Sequence, residues 1–257
     1  MNIAVDIGNS RLKFGIFSPD GSREFCHLDI PLKGEQFGTD SLHRPLNLNV
    51  YPAPITWLIA QTGSFPCEQF QTETLKERPH DEFIIVTRKH IPLKIDTDFP
   101  DNVGIDRLLA AFGATKMYGD SPMLIVDAGS AITVDVVQDQ TFCGGAILPG
   151  LTAMSETYPK ISEKLPLVPL YPKTESVYPG KNTKDAIRNG LYWGTIGAIR
   201  QFYDMRFTDA KLFLTGGDAD YLRPGLAQVL PQRVVLSPHL VLEGIHRCFT
   251  EDDGARR

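Results

Sequence analysis

The chain has 257 residues, 42% of them hydrophobic and 22% charged, with a formal net charge of −5. That is enough apolar material for one large domain or two ordinary ones, with no general attraction to nucleic acid or an anionic membrane surface. Four cysteines, Cys26, Cys67, Cys143 and Cys248, show no CxxC spacing, which argues against a zinc site or a dense disulfide framework and for reduced thiols. No stretch approaches the ~18 apolar residues of a transmembrane helix, and Asp6 interrupts what would be the apolar core of a signal peptide. A soluble cytoplasmic protein is expected.

In chain order, residues 2 to 17 read as a β-hairpin: Ile3 to Asp6, a turn over Gly8-Asn9-Ser10, and a return strand with Leu12, Phe14 and Ile16 on one face. Strands are predicted at Trp57-Leu58-Ile59-Ala60 and Glu82-Phe83-Ile84-Ile85-Val86, with a helix from Glu68 to Glu77 between them, an α/β order. After Pro100, the apolar residues Ile105, Leu108, Leu109 and Phe112 mark a helix face running to about Tyr118, with Asp106 and Arg107 in its first turn. The turn cluster Gly119-Asp120-Ser121-Pro122 is the expected boundary between domains 1–118 and 119–257.

The second domain opens with a strand over 123–127, a turn at 128–130 and a strand from Ala131 to Val137; a further strand leads into Gly144-Gly145-Ala146-Ile147-Leu148-Pro149-Gly150. Five prolines between 158 and 182 predict an extended or irregular connection. A long helix follows from Thr183 to about Asp204, and Gly190, Gly194 and Gly197 near one face of it predict close packing against another helix, within the chain or across a subunit interface. Strand Lys211 to Leu214 then ends in Thr215-Gly216-Gly217-Asp218-Ala219, and the polar tail Glu251 to Arg257 is expected to fray.

One tetrapeptide occurs twice, as Val5-Asp6-Ile7-Gly8 and as Val126-Asp127-Ala128-Gly129, each after a short apolar run and before a hydroxyl residue and a second strand. A carboxylate at a strand end can hold Mg²⁺ directly or through water, glycine lets backbone approach a phosphate, and Asn9, Ser10 and Lys13 supply donors to phosphate oxygens. Each copy alone reads equally well as an ordinary hairpin turn. Two with matching flanks predict a duplicated phosphate-handling fold gripping a triphosphate without a GxxxxGK[ST] loop, which is absent. In the second copy Thr133 and Asp135 alternate onto one face of the following strand.

Asp106 and Arg107 begin a helix, where a carboxylate is favoured by the helix dipole. They read either as a surface pair or as a general base beside a guanidinium that holds a carboxylate bidentately. Gly144-Gly145 and Gly216-Gly217 permit close ligand approach or mark turns, and Asn182-Thr183 reads as a helix N-cap pair. The six histidines show no metal-ligand spacing.

Seven segments in order resemble motifs of the type III pantothenate kinases, a family of the acetate and sugar kinase/actin superfamily. They are AVDIGNSRLKFGIF from Ala4, PDNVGIDRLLAA from Pro100, LIVDAGSAITVDVV from Leu124, GGAILPGL from Gly144, KLP from Lys164, NTKDAIRNGLYWGTIGAI from Asn182 and LTGGDA from Leu214. The resemblance implies two ribonuclease H-like domains of the actin-like ATPase/sugar kinase superfamily with a nucleotide cleft between them. It also implies a homodimer that phosphorylates pantothenate with ATP, the first step of coenzyme A synthesis.

Carried over by position, Asp6, Gly8, Asn9, Ser10 and Lys13 become the first phosphate motif, and Gly129, Ser130 and Thr133, with Asp127, the second. Gly216 and Gly217 would lie by the adenosine. Gly104, Asp106 and Arg107 match the substrate motif, with Asp106 the base and Arg107 the pantothenate-carboxylate ligand, while Thr183 would reach the pocket from the partner subunit. Asp6 would hold Mg²⁺, Lys13 would stabilise transferred charge, and Asp127 would hold the monovalent cation, K⁺ or NH₄⁺, that such enzymes require. Ser130 and Ile132 stand where the family usually shows threonines, and the family's tyrosine before the Gly-x-Asp-Arg motif has no clear counterpart near Asp96-Thr97-Asp98-Phe99. Two other readings share these motifs: a kinase of another small hydroxylated metabolite, and a nucleotide-binding accessory protein without turnover.

Overall fold

The computed structural model describes residues 1–29, 46, 48–119, 122–170, 178–206 and 209–250. Strands β1 (Asn2–Ile7), β2 (Arg11–Phe17) and β3 (Arg23–Asp29) form an antiparallel meander, as alternating apolar residues and short turns dictate. Strand β4 (Thr56–Gln61) adds parallel to β1; helix α1 (Cys67–Glu77) and β5 (Glu82–Ile85), parallel to β4, follow. A two-residue strand β6 (Lys94–Ile95) precedes α2 (Ile105–Tyr118).

The pattern then repeats. Strands β7 (Met123–Ala128), β8 (Ala131–Gln138) and β9 (Thr141–Pro149) form a second meander, followed by α3 (Leu151–Ile161), α4 (Thr183–Arg206), β10 (Lys211–Thr215), α5 (Ala219–Val229), β11 (Val234–Leu236) and α6 (Leu240–Thr250). The first sheet is ordered β3-β2-β1-β4-β5, the second β11-β10-β7-β8-β9-β6. Leaving β6 aside, the two orders are the same: a meander with two parallel strands added beside its first strand. None of the described helices is long and apolar enough to cross a membrane.

Each unit has its own core. In the first, Ile3, Val5, Ile7, Leu12, Phe14 and Ile16 pack with Trp57, Ile59 and Phe70; in the second, Leu124, Val126, Ile132 and Val134 pack with Leu191, Ile196, Ile199 and Leu222. A buried carboxylate braces the first core. Asp81 accepts hydrogen bonds from Ile55 N and Trp57 Nε1, both at 2.9 Å, and from Arg78 Nε at 2.6 Å.

Four expectations need correction. The division at 118/119 misplaces the C-terminal segment: the compact units are 1–94, 98–119 and 239 onward in one, and 95–97 with 120–238 in the other. Helix α6 joins the first unit because its inner side fits that unit's hairpins: Glu243 pairs with Arg23 at 2.6 Å, His246 stacks on Phe17 at 3.8 Å, and the preceding His239 stacks on Phe25 at 3.9 Å. The irregular connection expected from 158 begins later. Helix α3 continues through Pro159, where the missing N–H costs a single bond near the helix end; Pro172 lies outside the described residues.

Of the α4 glycines only Gly190 faces a helix within the chain, where a Cβ would meet the Tyr158 hydroxyl of α3 at 3.8 Å; on Gly194 or Gly197 it would meet nothing within 4 Å. A closer contact of α4 is made at Gly225 of α5, whose N–H donates to the Tyr192 hydroxyl at 2.9 Å. Finally, β3, α3, α5, β11 and α6 were not anticipated. The tail 251–257 and part of the Gly119–Pro122 cluster lie outside the described residues.

Two outcomes follow for stability. Asp81→Ala strands a buried guanidinium and two N–H donors and should lower the urea unfolding free energy by about 3–5 kcal/mol. Burial, with Arg23 and Arg247 nearby, holds His246 down to a pKa of about 4 against the ordinary 6.5. The unfolded chain therefore takes up this proton first as pH falls, so stability is full above pH 6.5 and declines toward 4. His246→Phe should flatten that decline in unfolding curves measured across this range.

Candidate active site

In the first unit the site begins at the end of β1. Strand alternation sends Val5 and Ile7 into the core and Asp6 to the opposite face, where it remains only 4% exposed. Asp6 and Lys13 are direct cross-strand partners, and Lys13 Nζ lies 3.3 Å from Asp6 Oδ2. The other oxygen, Oδ1, is buried without a hydrogen-bond partner, an arrangement that costs free energy in an empty fold. Burial pushes the Asp6 pKa above its ordinary value, Lys13 pulls it down, and the Asp106 carboxylate pushes it up again. Asp106 is thus electrostatically close to Asp6, although a hundred residues separate them in sequence.

Asp106 is the second residue of α2, immediately after Gly104-Ile105, and accepts a hydrogen bond from the Arg107 N–H at 2.9 Å. Asn9 and Ser10 stand exposed at the hairpin tip, closed by Gly8 N donating to Arg11 O at 3.0 Å. The structure adds residues that sequence reasoning missed. Thr62 N and Gly63 N both donate to Ile7 O, at 3.0 and 2.8 Å, and a Cβ on Gly63 would fall 1.9 Å from the Gly8 carbonyl oxygen. Only glycine fits there. The available signal was a Thr-Gly pair ending a predicted strand, as at Thr215-Gly216.

In the second unit Asp127 faces Thr133 across β7 and β8 as Asp6 faces Lys13, but its turn is one residue shorter. Thr133 Oγ1 is buried without a partner. Gly150 N donates to Ser130 O at 3.1 Å, laying the start of α3 against the turn that holds Gly129. Gly216 has φ +92°, and a Cβ there would meet Asp127 Oδ1 and Ala128 O, each at 2.4 Å. This glycine leaves a cradle of oxygens that any side chain would fill, while Gly217 beside it is exposed. Thr183 is exposed on the first turn of α4, which Asn182 caps as expected: its Oδ1 accepts from Asp185 N at 3.0 Å and its amide donates back to Asp185 Oδ2 at 2.7 Å. Thr183 shares neither the Asp127 hairpin nor the Gly216 turn.

Among the described residues no three His, Cys, Asp or Glu side chains group as a metal cage. A divalent ion at Asp6 would therefore be held by one carboxylate oxygen together with phosphate and water oxygens, the mode Mg²⁺ prefers, and the unpartnered Oδ1 fits that demand.

Residues 2–205 match the family model of the type III pantothenate kinases. The chain belongs to this family. It is therefore an ATP-dependent kinase of pantothenate, using ATP with a divalent metal, at the first step of coenzyme A synthesis. A type III pantothenate kinase of Flavobacterium johnsoniae is 28% identical over 256 residues, covering 97% of both chains. Another, of Thermosynechococcus vestitus, is 30% identical over 247 residues, covering 94% of this chain and 87% of the relative.

Two solved structures have the same fold. A Campylobacter jejuni protein has a TM-score of 0.61 at 23% identity, covering 98% of this chain and 99% of that one. An activator of 2-hydroxyisocaproyl-CoA dehydratase from Clostridium difficile, solved with ADPNP, has a TM-score of 0.56 at 9% identity, covering 99% of this chain and 95% of that one. These likenesses show a shared fold, here two α/β units each built on a three-stranded meander.

Because burial of ionised Asp6 opposes folding, Asp6→Asn in this kinase should leave the melting temperature unchanged or raise it. The same substitution should cut kcat/KM for pantothenate by about 10² or more. Thermal melts and steady-state kinetics on one preparation check both halves.

Proposed function

We propose that the kinase transfers the ATP γ-phosphoryl group in line to the pantothenate 4′-hydroxyl, with Asp106 as general base. The observation that supports this most is the closeness of Asp106 to Asp6, felt as an upward push on the Asp6 pKa. This coupling supports a proton acceptor in the neighbourhood of the buried carboxylate at the end of the first hairpin. Asp6 Oδ1 would hold Mg²⁺, which supplies neutralisation of phosphate charge when bound. Lys13 keeps its ammonium near Asp6 with its side chain 37% exposed, within reach of transferred charge. Gly8, Asn9 and Ser10 orient phosphate oxygens through backbone N–H and side-chain donors.

In the second unit, Gly129, Ser130 and Thr133 bind the nucleotide phosphates, and Gly216 and Gly217 give the adenosine close access to backbone. Asp127 Oδ1 and the Gly216 cradle fit a monovalent cation, K⁺ or NH₄⁺, by their oxygen donors. Gly104 and Arg107 complete the pantothenate site, Arg107 taking the carboxylate. Thr183 serves it from the partner of a homodimer, a reading that the open space at Gly194 and Gly197 of α4 supports. The enzyme acts in the cytoplasm on free small molecules, without a nucleic-acid or membrane partner.

Asp106→Asn tests the base directly. Loss of the acceptor should lower kcat by about 10²–10⁴ while the KM for ATP and the melting temperature change little. Full turnover by a folded variant that binds both substrates would remove Asp106 from this role.

A further inference from the structure

The duplication extends beyond the hairpins. Pairing sets Asp6 opposite Ala60 and Asp127 opposite Thr215, so Gln61-Thr62-Gly63 occupies the positions of Gly216-Gly217-Asp218. The hydrogen bonds agree. Gly63 N donates to Ile7 O at 2.8 Å and Asp218 N to Ala128 O at 2.9 Å, and each acceptor directly follows its motif aspartate. The Thr-Gly pairs that look alike in sequence are thus two residues out of structural register.

The two turns differ in what they present. In the second unit the turn carries a glycine pair and runs directly into α5 at Ala219; in the first, Ser64, Phe65 and Pro66 intervene before α1 begins at Cys67. This longer turn is firmly held. Gln61 Nε2 donates to Gly63 O at 3.2 Å and to Phe65 O at 3.1 Å, Thr62 Oγ1 donates to Ile7 O at 3.4 Å, and Phe65 is buried in the first core. Between these anchors Ser64 is exposed. Backbone held in this way presents the Ser64 side chain to a ligand without first having to be ordered.

We infer that the Gln61–Ser64 turn is an acceptor-binding segment, with the Ser64 hydroxyl hydrogen-bonding the hydroxylated, amide-bearing body of the acceptor. The inference rests on the kinase reading above. Phosphoryl transfer needs two ligands, and the glycine turn of the second unit suits the nucleoside, which asks for close backbone approach. The equivalent turn lies in the unit that holds Asp6, Lys13 and Asp106, where the acceptor hydroxyl must arrive. It offers a polar side chain in place of bare backbone, which suits a ligand read by hydrogen bonds.

Steady-state kinetics with pantothenate and ATP varied separately test this in the wild type, Ser64→Ala and Gln61→Ala, with melting temperatures recorded. Ser64→Ala should raise the pantothenate KM about 3- to 10-fold, the loss of one hydrogen bond, with the ATP KM within about twofold. Gln61→Ala, which frees the turn, should shift the same constant in the same direction without a change in melting temperature. Wild-type turnover of pantothenate checks the underlying reading. With turnover present, an unchanged pantothenate KM in both variants, or a shift in the ATP KM instead, overturns the role of the turn alone; absence of wild-type turnover overturns both.

Discussion

The cross-strand pairing of Asp6 with Lys13 is the constraint on which the first unit's site depends. Strand periodicity turns a carboxylate away from the core at the last position but one of β1, and the sheet then buries it. Lys13 satisfies one oxygen and leaves the other without a partner. Such a group is unfavourable in the folded protein by itself and becomes favourable when cationic or donor groups arrive. On the proposed reading, the fold holds a binding site open here at a cost to its own stability, a common exchange in enzymes.

Duplication gives one architecture two hairpins of different chemistry, which the proposed reading assigns to two different tasks. Both units lay a hairpin tip beside the end of a parallel strand, and both put a carboxylate there. The residue across the ladder then diverges: Lys13 in one unit, Thr133 in the other. A charged partner suits a site where phosphate charge moves, and a hydroxyl suits one where oxygens are only oriented. The strand-end turns diverge likewise, toward glycine in the second unit and toward held side chains in the first.

Much of this was legible in the sequence where local pattern decides structure. Alternation gave β1, β2, β7 and β8, the apolar spacing after Gly104 gave α2, and Asn182 marked the start of α4, because each depends on neighbours a few residues away. Motif order singles out Asp6, Lys13, Asp106 and Asp127 as candidates. What escaped were consequences of long-range packing. The strand Arg23–Asp29 is too polar to announce itself and is strand because β2 pairs with it. Helix α6 returns to the first unit through Arg23 and Phe17, which no periodicity in residues 240–250 reveals. Gly63 is explained by the Gly8 carbonyl it lies against, a neighbour more than fifty residues away.

The burial of Asp6 under the influence of Asp106, and the relief proposed on binding metal and phosphate, can be measured at one carboxyl carbon. Carbon-13 NMR titration of Asp6, with Asp6→Asn for assignment, should find its pKa above the ordinary 3.8 in the free enzyme. Mg²⁺ with a non-hydrolysable ATP analogue should lower it. An Asp6 that titrates at the ordinary value and does not respond to the metal–nucleotide pair would contradict the assignment of this carboxylate as the seat of phosphate chemistry.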